Sequence, residues 1–131
     1  MGEQTILEIG TIILNWGSWV PWLGILVDNR GGAGVHIPNE KPGVYEVKRA
    51  DHSRGERLYI GETGNLRFRI RQGLVKGKAG HPAGDQIRGC EDTSRLLVRW
   101  AETCRPMCAE EELLRAYRDR FGNLPLYNRN K

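Results

Sequence analysis

At 131 residues the chain has the length of one domain with a single core. Its 27% charged and 8% aromatic residues are ordinary for a globular protein and exclude a disordered or low-complexity chain. The balance of 20 Lys+Arg against 16 Asp+Glu leaves +4, a mild lean toward a polyanionic partner. All of that basic character lies from Arg30 onward, because residues 1–29 hold Glu3, Glu8 and Asp28 and no Lys or Arg.

From Ile9 to Val27 there is no charged residue, close to the length of a spanning helix. Asn15, Ser18, Pro21 and interspersed glycines interrupt the run, so a membrane span is not expected. Thr5–Leu14 reads as a helix or strand packed on the core, and "WGSWVPW" as an aromatic loop broken at Pro21. Such clustered tryptophans fill a core, form a homodimer contact through this apolar segment, or offer a base-stacking platform. The glycine-rich "NRGGAGVHIPNEKPG" is the best linker in the chain.

After Pro42 strands and helices alternate. "GVYEVK" and "RLYIG" are short, β-branched and aromatic, and the polar stretch between them suits an antiparallel hairpin. "GNLRFRIRQGL" is a helix of about three turns with Asn65 as its cap. "HPAGDQIRGC" has room for a short helix, and "RLLVRWA" alternates as a strand does. "RPMCAEEELLRAYRDRF" is a helix with Pro106 in its first turn and Gly122 at its end.

Projected at about 100° per residue, Leu66, Ile70 and Leu74 share the face that lies on a sheet. Arg67 and Arg71 flank that stripe on one side, and Arg69 lies about 60° from Leu66 on the other. Arg69 thus leaves the helix near the boundary of core and solvent, as a surface cation or as a fork that grips a phosphate in two bonds. On the last helix Leu113, Leu114, Tyr117 and Phe121 form an apolar face, and Glu111 and Glu112 point away. Glu110 falls inside that face, where a carboxylate is costly unless it is paired with an arginine or binds a cation. An inward carboxylate beside an arginine suits a buried ion pair or metal-assisted phosphodiester cleavage.

Cys90, Cys104 and Cys108 form an odd set with no secretory signal, which points to a reducing cytoplasm. With His81 they could supply zinc ligands, but their spacing fits no compact zinc knuckle, and idle thiols are the plainer reading.

"GVY" at 43–45, "YIG" at 59–61, Arg69 ten residues after Tyr59, "EEELL" at 110–114 and "PLYN" at 125–128 resemble the GIY-YIG nuclease superfamily. The resemblance covers residues 42–128, with the five blocks in register and residues 1–41 as an N-terminal apolar extension and connector. It implies a small α/β sandwich whose three-stranded, antiparallel or mixed sheet is flanked by helices. It also implies a DNA endonuclease that hydrolyses phosphodiester bonds with Mg²⁺ or Mn²⁺.

Carried onto this sequence, the resemblance makes Tyr45 the general base, directly or through a water, and sets Tyr59 beside it to orient the nucleophile. Arg69 would bind the scissile phosphate, and Glu110 would anchor a single Mg²⁺. Asn128 would fix the C-terminal segment beside the site. Gly43 and Gly61 would let backbones approach closely, and Arg67, Arg71 and His81 would contact substrate. Many relatives carry a lysine just after the YIG block, where this chain has Glu62. Some restriction-type relatives have a histidine one turn after the arginine; that position is Gly73 here, and His81 is the nearest substitute. An inserted "FGNL" lengthens the spacing to "PLYN" and makes Asn123 the alternative to Asn128. The competing function class is a module of the same fold that binds nucleic acid or a protein without cutting.

Overall fold

The structure is a computed structural model that describes residues 2–7, 12–27 and 36–129. In chain order its elements are β1 (Gln4–Leu7), β2 (Ile12–Asn15), β3 (Val20–Pro21), α1 (Trp22–Val27), β4 (Gly43–Arg49) and β5 (Tyr59–Thr63). A helix over Phe68–Val75 follows, then α2 (Pro82–Cys90), β6 (Leu96–Glu102) and α3 (Pro106–Phe121). Short 3₁₀ turns cover Thr93–Arg95 and Leu126–Asn128. The helix expected over "RPMCAEEELLRAYRDRF" therefore forms over all but its first residue, and Gly122 ends it in the left-handed region at φ 81°.

The main sheet has the order β3-β6-β4-β5, with every neighbouring pair antiparallel. The sequence led us to expect a three-stranded sheet; the structure has four strands. Val20–Pro21 pairs with Leu97–Val98 and adds a fourth strand at the β6 edge. Pro21 is tolerated there because an edge position leaves its missing N–H without a ladder partner to lose. The aromatic stretch is thus irregular over residues 16–19, as expected of a loop, and ends as a two-residue strand running into α1.

β4 is central and buried on both faces from Gly43 to Val47. On one face Tyr45, Val47 and Val98 pack against α1, Leu66, the helix that follows it and α2. On the other, Val44, Ile60 and Ala101 pack against α3 and the β1–β2 hairpin. The result is a three-layered α/β arrangement, the fold class expected.

Thr5–Leu14 is not a single element. Its described ends form an antiparallel hairpin in which Leu7, Ile12 and Leu14 point inward while Ile6 and Ile13 face outward as a cross-strand pair. That period of two was masked in the sequence by isoleucine on both faces. The hairpin is tied to the sheet. Arg99 Nη1 donates to Glu3 Oε1 at 2.8 Å, and Gly17 N donates to Trp100 O at 3.0 Å. Trp16 and Trp22 are buried, so core packing accounts for both. Trp19 carries the guanidinium of Arg57 at 4.8 Å and that of Arg99 at 4.7 Å from its ring centre. Residues 29–35 of the expected linker lie outside the described residues. Its described end is packed: Ile37 is fully buried, and its carbonyl accepts from Arg67 Nε at 2.7 Å.

The helix bearing the arginines departs from α geometry. Asn65 caps its start, with Oδ1 accepting from Phe68 N at 3.3 Å. Phe68–Val75 is then π-wound, as the bond from Lys76 N to Arg71 O at 3.0 Å shows. Leu66, Ile70 and Leu74 are fully buried, as the projection required. Burial of each contributes about 1.5–3 kcal/mol. More residues per turn rotate Arg71, five positions after Leu66, toward the buried side. Arg71 is accordingly buried rather than presented to solvent, a correction to the α-helical projection.

Candidate active site

Tyr45 and Tyr59 project from adjacent strands onto the sheet face covered by the π-wound helix and α2. Their ring centres are 6.0 Å apart. Gly61 is the register partner of Tyr45 and makes this approach feasible. A Cβ there would lie 2.6 Å from Tyr45 Cζ and 2.7 Å from Tyr59 Cε2. Gly43 likewise permits a close backbone approach, since its Cβ would lie 2.3 Å from the Ala101 carbonyl oxygen of β6.

His81 completes the cluster. It is the N-cap of α2, where Nδ1 accepts from Gly84 N at 2.9 Å. Its Nε2 lies 2.8 Å from the Tyr45 hydroxyl. With the lone pair of Nδ1 used by Gly84, neutral His81 carries its proton on Nε2 and donates to Tyr45. His81 therefore cannot remove the Tyr45 proton; it is a donor placed to stabilise a tyrosinate. Burial, with Arg69 nearby, holds the His81 imidazolium down to a pKa of about 4, so the ring is neutral at neutral pH. The ring also fills the space over Gly73, whose Cβ would lie 3.5 Å from His81 Cδ2.

Arg69 lies at the mouth of the cluster, half-buried, with Nη1 donating to Gly80 O at 2.7 Å. Burial chiefly pushes the Tyr45 hydroxyl well above the usual tyrosine range, and the Arg69 charge and hydrogen bond act against it. The neighbouring Tyr59 hydroxyl adds to the rise of Tyr45. Tyr59 is itself raised, first by burial and then by the Glu110 carboxylate. His81 thus donates to Tyr45, and Tyr59 is the tyrosine of the pair that lines the cavity.

Asn128 is buried and clamps the edge strand β5 from its open side. Its Oδ1 accepts from Ile60 N at 3.0 Å, and its Nδ2 donates to Ile60 O at 2.9 Å. Ile60 lies between Tyr59 and Gly61, so this clamp fixes the strand segment that carries the site. Asn123 is exposed and bonds Leu124 N, which decides between the two asparagines.

Glu110 is half-buried on α3 rather than enclosed in the core, and it interacts with other groups there. Its neighbour Ala109 packs on the sheet face shared by Val44 and Ile60. Glu62, opposite Val44 in β5, belongs to that same face. The carboxylates of Glu110 and Glu62 both raise the Tyr59 hydroxyl, which sets their charge beside the tyrosine pair. Among the described residues no group of three or more His, Cys, Asp or Glu side chains could hold a metal ion. Carboxylate oxygen is the donor a hard divalent cation takes, and Mg²⁺ commonly keeps most of its shell as water. A carboxylate such as Glu110 suits Mg²⁺ better than zinc, and the three cysteines are free thiols.

Of the flanking arginines, Arg67 is half-buried with Nε donating to the Ile37 carbonyl, and Arg71 is buried, so Arg71 does not present a solvated charge. The sequence reading missed the cavity beside Arg69, lined also by Tyr59, His81, Pro82, Gln86 and Tyr127. Tyr127 was within sight as the neighbour of Asn128 in "PLYN". No helix among the described residues is long and apolar enough to cross a membrane. Comparison of the chain with protein-family models, curated proteins and solved structures gave no match.

Proposed function

We propose that the protein is a metal-dependent DNA endonuclease of the GIY-YIG type that hydrolyses phosphodiester bonds at the Tyr45–Tyr59–His81–Arg69 cluster. The observation that carries the reading is the Tyr45 hydroxyl. It is buried, accepts from His81 Nε2 at 2.8 Å, and has the Arg69 charge and the Tyr59 ring beside it. A phenol serving packing alone has no need of a donor and a cation arranged around its oxygen. The place of the His81 ring over Gly73 adds support, because a histidine at position 73 is what some restriction-type relatives carry.

In this mechanism the Tyr45 proton leaves through Tyr59 to solvent, and the tyrosinate is held by His81 and Arg69. The tyrosinate then draws a proton from the attacking water through the Tyr59 hydroxyl, which lines the cavity, as the water oxygen bonds to phosphorus and the bond to the 3′ oxygen breaks. Arg69 exchanges the Gly80 carbonyl for the scissile phosphate and offsets its charge. Mg²⁺ or Mn²⁺ held by Glu110 would supply polarisation of the phosphate and charge stabilisation at the leaving oxygen. DNA is the partner in this reading, and a homodimer through the N-terminal segment would use Ile6 and Ile13, since Trp16 and Trp22 are buried.

The test is plasmid nicking by wild type beside Glu110→Ala and Arg69→Ala, with and without EDTA. Metal-dependent nicking by wild type alone is the expected result. Equal nicking by all three would mean a contaminating nuclease, and DNA binding without any cutting would favour the non-cleaving module.

A further inference from the structure

We infer that the cavity beside Arg69 receives an unpaired nucleobase, so that the favoured DNA carries an unstacked nucleotide next to the scissile phosphate. The inference rests on the nuclease reading above and names its substrate class. The cavity measures about 220 Å³, below the roughly 300–1,000 Å³ that drug-sized ligands occupy, and suits one planar base. Its walls are the kind that grip a flipped base: the rings of Tyr59, His81 and Tyr127, with Gln86 supplying an amide. Gln86 offers an acceptor and two donors, which a base edge can meet and a stacked, paired base cannot.

Tyr127 is held for this use. Its hydroxyl donates to Glu91 Oε2 at 2.7 Å, and Glu91 is clamped in turn by Arg49 Nε and Nη2, both at 2.8 Å. With the hydroxyl committed, the tyrosine offers the cavity its ring, and stacking on a fixed ring loses little entropy. Arg69 shares the cavity wall, so a phosphate on Arg69 and a base in the cavity belong to the same or adjacent nucleotides. In a perfect duplex the base there is stacked and paired, and it would have to be extruded at a cost. Flaps, bulges, mismatches and single strands present it free.

The experiment is fluorescence anisotropy with wild-type protein in EDTA. The probes are a perfect duplex and the same duplex with one bulged 2-aminopurine, each repeated with Gln86→Leu. Gln86 is exposed, so an aliphatic side chain there removes the amide without entering the core and without adding a ring on which a base could stack. Expected are about tenfold tighter binding of the bulged duplex and a change in 2-aminopurine emission, with the ratio of bulged to perfect-duplex affinity much reduced in Gln86→Leu. Equal affinity for both duplexes, or a ratio unchanged by Gln86→Leu, overturns the inference and leaves the nuclease reading standing if perfect duplex is cut. Absence of binding to any DNA overturns both.

Discussion

The Tyr45 hydroxyl and His81 Nε2 lie 2.8 Å apart, and the other ring nitrogen of His81 accepts from the Gly84 amide. Burial first, and then the nearby Arg69 charge, hold the His81 imidazolium down, from an ordinary 6.5 to about 4. Because the folded value is depressed, the stability linked to it is fully present above pH 6.5 and is lost as pH falls through about 4. At about 1.4 kcal/mol per pH unit this amounts to about 3 kcal/mol. Urea denaturation at a series of pH values should show that loss in wild type and a flatter profile in His81→Gln. Identical profiles would mean that His81 is not held neutral by this arrangement.

Asn128 closes the open edge of β5 by satisfying both backbone groups of Ile60. Asn128→Ala leaves a buried N–H and C=O without partners, at about 1–3 kcal/mol each. Denaturation should register a loss of about 2–4 kcal/mol, and cleavage should fall because Tyr59 shifts with the strand. Asn128→Asp should be no better at neutral pH, since its carboxylate would face the Ile60 carbonyl. A cost below about 0.5 kcal/mol, as for an ordinary surface site, would show the clamp to be incidental.

Much of this was legible in the sequence, for reasons that differ by element. α3 was readable because Pro106, the apolar face from Leu113 and Gly122 agree at every level. β4 and β5 were readable because short β-branched and aromatic runs flank a polar turn. The N-terminal hairpin was not, because Ile6 and Ile13 are exposed isoleucines that hide the alternation. Arg71 was misplaced because a π-wound helix has no simple periodic signature in one sequence. His81 was undervalued because its partnership with Tyr45 depends on where α2 begins, and the two residues are 36 positions apart.

Gly61→Ala separates geometry from stability. The added methyl would meet Tyr45 Cζ at 2.6 Å, its hydroxyl oxygen at 2.7 Å and Tyr59 Cε2 at 2.7 Å, so both rings must move. A displacement on the order of 1 Å at reacting groups costs about a hundredfold in rate. The variant should keep its circular dichroism spectrum and DNA affinity while nicking falls by about that factor. Nicking within a few-fold of wild type would remove the tyrosine pair from the mechanism.

Glu46 is a buried carboxylate whose Oε1 meets Arg57 Nε at 2.7 Å and Arg99 Nη2 at 2.9 Å. Glu3 meets the same Arg99 at 2.8 Å, but its side chain is 66% exposed. Removing the buried partner strands cationic charge in a poorly solvated site and costs about 3–5 kcal/mol. Removing an exposed one costs at most about 1 kcal/mol. Glu46→Gln should therefore destabilise the fold far more than Glu3→Gln in parallel thermal melts. Equal shifts would mean that water reaches the network freely.

Glu110 decides whether the site is metal-dependent in the way proposed. Its carboxylate and that of Glu62 both act on Tyr59, while no group of three or more potential metal-binding side chains stands among the described residues. A site with so few protein oxygens offers little to offset dehydration of Mg²⁺, so free protein should take up little of the ion. Phosphate oxygens complete the shell only when DNA is bound. Calorimetry should accordingly show weak Mg²⁺ uptake by the protein alone and clear uptake by the protein–DNA complex. Glu110→Gln keeps the size of the side chain and removes its charge. It should bind DNA with near wild-type affinity, take up no Mg²⁺ in the complex and fail to nick. Glu62→Gln should weaken uptake without abolishing it, because the remaining carboxylate still anchors the ion. Strong Mg²⁺ binding by free protein that survives Glu110→Gln would place the ion elsewhere and leave the scissile phosphate and its leaving oxygen without the charge stabilisation proposed.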